Sequence, residues 1–246
     1  MVRLSVNVNK VATLRNSRGG ARPSVVEAVR RCVEAGAPGI TVHPRADERH
    51  IRPRDVYDIA VELKPLRGRV EYNIEGDPRP DLIELVGEVR PDQCTLVPVR
   101  PGELTSEAGW PADTPKETLA EIIERFHDQG VRVSMFVDAE PAPIDWAAEL
   151  GADRVELYTE PYARAFERGG EVWHQSLDRY RAAAERASAI GLGVNAGHDL
   201  DLANLPTFLG LPHIDEVSIG HALIAHALFV GLGSAVAEFL QITGSR

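Results

Sequence analysis

The sequence has few cysteines and no long apolar run. Cys32 stands in a helical pattern and Cys94 in an apolar run typical of a strand, so both are predicted to be small core residues, not disulfide partners. They leave no cysteine-based metal site. No apolar stretch approaches the roughly 20 residues that a membrane-spanning helix needs. We therefore expect a cytoplasmic protein without a membrane partner.

The chain also lacks an excess of positive charge. Its formal net charge is -10 and its pI is about 5.3, which argues against a broad surface for DNA or RNA. Any anionic ligand must be held by local positive groups. With 246 residues, of which 43% are hydrophobic, the chain can bury one substantial core. A single domain over residues 1–246 is predicted.

One transition recurs along the chain. An amphipathic helix ends at a glycine, a short link follows, and a β-branched apolar run comes next. It is clearest after Gly36, Gly130, Gly151 and Gly191. Candidate strands lie near 4–8, 39–43, 69–74, 93–97, 132–137, 154–158, 193–196 and 216–219. Helical segments separate nearly all of them.

Helix starts support the same alternation. Thr114 is a candidate N-cap, with Pro at the next position and Glu117 at the capping-box position, and Pro53 and Pro80 mark similar starts. Alternating β and α elements fit a closed barrel or an open doubly wound sheet. Eight strands, and no Gly-x-Gly-x-x-Gly after the first of them, favour the barrel. The predicted fold is α/β: a single (β/α)8 TIM barrel with extra helices.

Polar residues follow the predicted strands at the end where such barrels assemble their sites. Each alone could be structural, for example a hydrogen-bonded histidine or a carboxylate paired with arginine. Their joint placement favours a catalytic mouth, since burying ionisable groups is unfavourable unless they are paired or used. The residues are Asn7, Asn9, Lys10, His43, Arg45, Asn73, Glu75, Glu156, Thr159, Asn195, His198, Gly220 and His221.

Two regions are candidates for binding phosphate. Arg15 and Arg18, followed by two glycines, predict a flexible basic loop after the first strand, with a plain surface loop as the alternative. In the second region Gly220 opens a helix directly after the last strand, where free backbone N–H groups hold anions. Gly197 would add close backbone approach from the seventh strand. A phosphorylated substrate is therefore expected.

Metal binding and a lysine imine are two other chemistries with candidate residues in this sequence. His43, Glu75, Glu156 and His198 include metal-ligand types, but no His-x-His or His-Glu-x-x-His spacing sets them up, so no metal is predicted. A lysine imine has one candidate, because lysine occurs only at positions 10, 64 and 116 and only Lys10 follows a strand.

At several of these stretches the sequence resembles the pyridoxine 5'-phosphate synthase family of vitamin B6 biosynthesis. The resemblance implies that 1-deoxy-D-xylulose 5-phosphate condenses with 3-amino-2-oxopropyl phosphate. The products would be pyridoxine 5'-phosphate, phosphate and water, in a transferase-type ring closure without a cofactor. It also implies a homo-octamer. The matching segments are 7–19, 39–45, 49–51, 73–75, 96–98, 104–107, 194–198 and 218–222.

The resemblance implies a role for each site residue. His43 and Glu75 would accept protons, His198 would donate one, and Glu156 would stabilise charged intermediates. These groups suit a reaction that needs repeated proton transfer. Predicted ligands of the amino ketone phosphate are Asn7, Arg18, Gly220 and His221, and predicted ligands of the deoxyxylulose phosphate are Arg45, His50 and Thr105.

The chain departs from the family pattern at two places. Asn9 and Lys10 stand where many members carry Asp-His, and are retained as predicted substrate-binding residues, with Lys10 directed at a phosphate or the sugar oxygens. Asp199 stands where Gly is usual and is predicted to bind through its backbone. His43, Glu75 and His198 are in place.

Two other functions stay open on the sequence. A phosphosugar aldolase or isomerase on the same barrel would share the phosphate loops but move protons differently, and Lys10 would be its imine candidate. A non-catalytic phosphometabolite sensor would retain Arg18 and Gly220 without turnover.

Overall fold

The computed structural model describes residues 1–99 and 106–244. Eight parallel strands pair in sequence order, and the last closes on the first, so the predicted barrel is confirmed. The strands are β1 (Arg3–Asn7), β2 (Gly39–Val42), β3 (Glu71–Gly76), β4 (Gln93–Leu96), β5 (Arg132–Val137), β6 (Arg154–Tyr158), β7 (Gly193–Gly197) and β8 (Ile214–Ile219).

Helices surround the barrel, and three strands are followed by two helices instead of one, which confirms the extra helices. These pairs are α1 with α2, α7 with α8 and α10 with α11. The described helices are α1 (Asn9–Asn16), α2 (Val25–Glu34), α3 (Pro53–Leu63), α4 (Pro80–Val89), α5 (Glu117–Asp128), α6 (Pro141–Glu149), α7 (Glu160–Arg168), α8 (Gly170–Ala189), α9 (Leu205–Phe208), α10 (His221–Val230) and α11 (Leu232–Thr243).

The helix boundaries follow from local chemistry. Pro53 and Pro80 begin α3 and α4 as predicted, because their fixed φ suits the first helical position. The predicted N-cap at Thr114 is wrong, since α5 begins at Glu117. The Thr114 carbonyl instead accepts a hydrogen bond from Nε1 of Trp146 at 3.0 Å, and its N–H closes a turn.

Side chains alternate along the strands between the outer core and the inside of the barrel. In β1 to β4 and β7 the even-numbered residues, such as Ile40 and Ile74, pack outward against the helices, and in β5, β6 and β8 the odd-numbered residues do so. The intervening residues face inward and are mostly polar. Ser5 lies 2.6 Å from Thr41 across neighbouring strands. The barrel therefore has a polar interior, called the lumen below, where branched apolar residues are usual.

The amino-terminal end of the lumen holds a network of ion pairs. Arg3 lies 3.4 Å from Glu71 and 4.0 Å from the buried carboxylate of Glu216, while Arg132 also pairs with Glu71. Burial, followed by the charge of Glu71, raises the pKa of Glu216 to about 8.

No helix in the described ranges is both long and apolar enough to cross a membrane.

Candidate active site

Four ionisable side chains meet at the carboxyl end of the barrel. His43 follows β2, Glu75 and Glu156 lie in β3 and β6, and His198 follows β7. The first three are 7%, 4% and 2% exposed, and His198 is half-buried. Four separate strands thus bring together the groups that the sequence predicted to be catalytic.

His43 is held as a neutral imidazole. Its Nδ1 lies 3.7 Å from a carboxylate oxygen of Glu75, and its Nε2 is buried with no hydrogen-bond partner in the described chain. Burial, followed by the electrostatic effects of His50 and Arg45, lowers its pKa well below the usual value. The unpaired nitrogen is therefore available to a ligand.

Asn9 positions the backbone of this histidine. Its side-chain oxygen accepts a hydrogen bond from the His43 N–H at 2.9 Å, and its own N–H donates to the side chain of Asn7 at 3.0 Å. Asn9 lies in the first turn of α1, not at the end of β1. At least part of its function is thus structural, which the sequence did not indicate.

Glu75 and Glu156 form a buried carboxyl pair. Burial raises the pKa of Glu75 well above its usual value, and the charge of Glu156 adds to this, while Ser218 Oγ lies 3.5 Å from the carboxylate. Burial likewise raises the pKa of Glu156 to about 7. The pair therefore retains a proton into the neutral range.

Gly197 leaves the space that Glu156 occupies. A Cβ at this position would lie 2.4 Å from the Oε1 atom of Glu156, closer than non-bonded atoms approach. The expected close approach of the seventh strand is therefore real, but its partner is a carboxyl group of the protein.

His198 has an unusual backbone and an aromatic environment. Its φ is 82°, in the left-handed region that few side chains other than glycine adopt. Its ring centroid lies 4.9 Å from that of Phe136 and 5.4 Å from that of Tyr158. Burial lowers the pKa of His198 to about 4, so the ring is neutral at neutral pH.

A candidate anion site lies where β8 enters α10. Gly220 is the N-cap and His221 the exposed first residue of the helix. A Cβ on Gly220 would lie 3.2 Å from the side chain of Asn7, so the two positions are adjacent. The structure thus brings together three of the four predicted ligands of the amino ketone phosphate, at a helix N-terminus suited to anions.

The second predicted ligand group surrounds His50. Its ring centroid lies 6.1 Å from that of His43. Burial and then the charges of Arg45 and Lys10 lower its pKa to about 4, so these cations are close. Nδ1 of His50 accepts a hydrogen bond from the Ile51 N–H at 2.9 Å, which leaves the proton of the neutral ring on Nε2. Lys10 is exposed and Arg45 is buried.

The predicted basic loop is wrong for Arg15. This residue lies in the last turn of α1, where its buried guanidinium forms two hydrogen bonds to Asp55 at 2.5 and 2.9 Å and another to the His50 carbonyl at 3.1 Å. It is therefore not available to phosphate. Arg18 lies exposed beyond the helix, and its contact with substrate stays a prediction.

Three other residues were predicted to bind substrate or to lie at the mouth: Asp199, Thr159 and Thr105. Asp199 is exposed at a φ of 57°, and its carbonyl accepts a hydrogen bond from Asn204 at 3.0 Å, so its N–H is the backbone group left for an anion. Thr159 is buried and donates to the carbonyls of Gly197 and His198. Thr105 lies outside the described residues.

Asn73 and Asn195 do not reach the mouth. Asn73 precedes Glu75 by two positions and Asn195 precedes His198 by three, which places them about 7 and about 10 Å deeper along their strands. Asn73 bonds to the hydroxyls of Thr41 and Thr95, while Asn195 accepts from Arg154 at 2.8 Å. Both belong to the hydrogen-bonded lumen, so their assignment to the mouth is corrected.

Metal binding can also be examined at the level of side chains. Within the part of the chain that the structure describes, no three His, Cys, Asp or Glu side chains converge as a metal site requires.

Comparisons with known proteins agree over nearly the whole chain. Residues 4–245 match the family described as "Pyridoxal phosphate biosynthesis protein PdxJ". The chain is 52% identical over 240 residues to the pyridoxine 5'-phosphate synthase of Bacteroides thetaiotaomicron, covering 97% of this chain and 98% of the relative. It is 46% identical over 252 residues to the protein of the same name from Leptospira biflexa, covering 98% and 97%.

Solved structures share the fold at much lower identity. Thiamine phosphate pyrophosphorylase from Pyrococcus furiosus superposes with a TM-score of 0.62 at 16% identity, covering 99% of this chain and 96% of the other. The YdjI aldolase from Escherichia coli K12 gives 0.63 at 12% identity, covering 99% and 92%. These similarities show the barrel fold alone.

Proposed function

Because this chain belongs to the family of the pyridoxal phosphate biosynthesis protein PdxJ, we propose that its barrel mouth carries out pyridoxine 5'-phosphate synthesis with the buried histidines and carboxyls as acid–base groups. The substrates are 1-deoxy-D-xylulose 5-phosphate and 3-amino-2-oxopropyl phosphate. The observation that carries the assignment of roles is the convergence of His43, Glu75, Glu156 and His198 in one buried site. The likeness to aldolase structures concerns the fold only.

His43 is suited to accept a proton. Its ring is neutral in the free protein because burial lowers its pKa, and its Nε2 lacks a partner. A neutral imidazole with an unpaired nitrogen can remove a proton from a substrate that reaches it. Asn9 supports this role, because its hydrogen bond with the His43 N–H fixes the backbone position from which the imidazole projects.

Glu75 and Glu156 divide one proton between them. Burial raises the pKa of both carboxyls and the charge of Glu156 raises that of Glu75 further, so the two do not both ionise readily and one stays protonated near neutral pH. In the proposed cycle Glu75 accepts a proton when it is the ionised partner. In the form whose proton lies on Glu75, the ionised Glu156 faces the positive charge that develops on a nitrogen-containing intermediate.

His198 is the proposed proton donor, although its ring is neutral in the free protein. With a pKa of about 4, roughly one molecule in a thousand would carry the charged ring at pH 7. We therefore assign its protonation to the substrate complex, since a bound phosphate dianion raises the pKa of a nearby imidazole. The free protein therefore lacks the protonated His198 that this step requires.

Two phosphate-binding regions flank these groups. Asn7, Gly220 and His221 surround the start of α10, and we assign them, with Arg18 and the Asp199 N–H, to the amino ketone phosphate. The second region would hold the deoxyxylulose phosphate. Its proposed ligands are Lys10, Arg45, His50, Thr105 and the side-chain NH2 group of Asn9. Holding two substrates side by side supplies much of the orientation that the condensation needs.

We also propose that the chain assembles with copies of itself, as an octamer, in the cytoplasm. Leu228 and Phe229 on α10 are 70% and 89% exposed, and Leu14 on α1 is 53% exposed. An apolar face of this kind is typical of a protein interface. The two free buried thiols accord with a reducing compartment. Light scattering should give the octamer mass, and Phe229→Ser should lower it.

The function is tested by mixing the chelator-treated protein with both substrates and measuring pyridoxine 5'-phosphate and released phosphate together. The proposal predicts equal amounts of the two products, and their loss in Glu75→Gln and His198→Ala. Glu216→Gln is the matched control for a buried carboxyl at the opposite end of the lumen, and His127→Ala for a histidine outside the mouth. Both controls should retain activity.

Binding of both substrates without either product would instead support a sensor. An adduct trapped by borohydride that disappears in Lys10→Met would support the aldolase alternative.

A further inference from the structure

The His198 ring packs against two aromatic side chains from neighbouring strands. Phe136 lies in β5 with its ring tilted by 54° to the imidazole, and Tyr158 ends β6 with its ring nearly perpendicular, at 79°. The two aromatic rings also contact each other, with centroids 5.5 Å apart. The imidazole therefore has an aromatic neighbour in two directions, both from rigid strands.

These two rings lie outside the main hydrophobic core. Phe136 is fully buried and Tyr158 is 6% exposed, and with Val97 they form a small apolar cluster separate from the main core. Phe136 is in register with Glu156, so it stands at a level of the lumen where polar groups are the rule. Its ring centroid lies closer to the imidazole of His198, at 4.9 Å, than to the ring of Tyr158, at 5.5 Å.

The backbone of His198 is fixed independently of its ring. Thr159 donates through its hydroxyl to the Gly197 carbonyl at 2.7 Å and to the His198 carbonyl, and its N–H bonds to the Gly197 carbonyl at 2.9 Å. These bonds hold the left-handed turn, which is unfavourable for a side-chain-bearing residue. Rotation about the side-chain bonds of His198 is then set by its ring contacts and by a hydrogen bond between the imidazole and the Gly197 backbone.

We propose that Phe136 and Tyr158 are positioning residues that fix the plane of the His198 imidazole for proton transfer. Aromatic pairs prefer tilted and edge-to-face arrangements at these separations, so the two rings favour one orientation of the imidazole over its alternatives. The proposal rests on the proposed function, because it assumes that His198 donates a proton there.

The kinetic test compares Phe136→Leu and Tyr158→Leu with Tyr158→Phe, which retains the ring, and with Phe208→Leu. Phe208 is a buried aromatic that contacts Tyr162 and Tyr180 instead of the site, so it is the matched control for a lost aromatic side chain. The two leucine variants at the site should lose on the order of 10- to 100-fold in kcat, with KM changed by less than about threefold. Tyr158→Phe and Phe208→Leu should retain kcat.

A second measurement does not depend on turnover. Histidine labelled with 13C at Cε1 gives one proton signal per ring, and the His198 signal is identified by its loss in His198→Ala. Ring currents from Phe136 and Tyr158 should displace this signal from the position of an exposed histidine. The displacement should shrink in Phe136→Leu and Tyr158→Leu, and persist in Tyr158→Phe and Phe208→Leu.

Two results would overturn the proposal. An unmoved His198 signal in both leucine variants would show that the rings do not orient it. A rise in KM with unchanged kcat would show that the rings contact substrate instead. If the wild-type protein makes no pyridoxine 5'-phosphate, the proposed function fails, and the His198 signal still reports whether the rings hold the imidazole.

Discussion

Adding a single methyl group at Gly197 should displace a carboxyl group of the site while leaving the fold in place. In Gly197→Ala the new Cβ would lie 2.4 Å from the Oε1 of Glu156, whereas ordinary van der Waals contact begins at 3.4 Å. The carboxyl must therefore move by about 1 Å, and a displacement of that size lowers the rate by about 100-fold. The backbone at Gly197 does not have a positive φ, so alanine introduces no left-handed strain.

The assay is kcat for pyridoxine 5'-phosphate formation, with thermal unfolding measured in parallel. Gly193→Ala is the matched control in the same strand, because its Cβ would meet only the flexible side chains of Arg154 and Asp215 at 2.9 and 3.0 Å. We expect the control to retain kcat and both variants to unfold cooperatively. A kcat for Gly197→Ala within about twofold of wild type would refute the reasoning, since a displacement of about 1 Å should lower it far more.

Three further predictions concern stability and positioning. Arg15→Ala breaks a buried ion pair and should lower the free energy of unfolding by about 3–5 kcal/mol, whereas the exposed Arg30→Ala should lower it far less, as urea unfolding can measure. Burial raises the pKa of Glu216 in the folded protein above its value in the unfolded chain. The free energy of unfolding should therefore fall as the pH rises from 4 towards 8, and Glu216→Gln should reduce that fall when unfolding is measured across this pH range. Asn9→Ala should lower kcat by removing the acceptor of the His43 N–H, whereas Asn9→Asp keeps an acceptor oxygen but loses the side-chain N–H proposed to bind substrate, so it should retain kcat and raise KM for the deoxyxylulose phosphate. These assignments would be contradicted by equal losses of stability in Arg15→Ala and Arg30→Ala, by an unchanged pH dependence of unfolding in Glu216→Gln, or by equal kcat in Asn9→Ala and Asn9→Asp.

The sequence predicts the barrel because its signals are local. Glycines 36, 130, 151 and 191 each follow a helix with a positive φ, and a buried strand follows each of them. The catalytic mouth is predictable for the same reason, since polar residues at strand ends must meet in a closed parallel barrel. The family resemblance adds the reaction, which composition and spacing do not determine.

Contacts between distant residues are what the sequence leaves undetermined. Arg15 is basic and next to a glycine-containing loop, but its pairing with Asp55 depends on how α1 packs against α3. Asn73 and Asn195 look like mouth residues because a difference of two or three positions along a strand is not visible without the register. The ring contacts of Phe136 depend on three strands and have no local signal.

A buried carboxyl pair that shares a proton during catalysis should be visible in the pH dependence of kcat/KM. This profile reports the ionisation of groups in the free enzyme. Because the pKa of Glu156 is about 7 and its charge raises that of Glu75, activity should rise with pH through the neutral range in the wild-type protein. In Glu156→Gln the remaining activity should rise at lower pH, since Glu75 loses its charged neighbour. A rise at the same or higher pH in the variant would contradict the shared-proton pair.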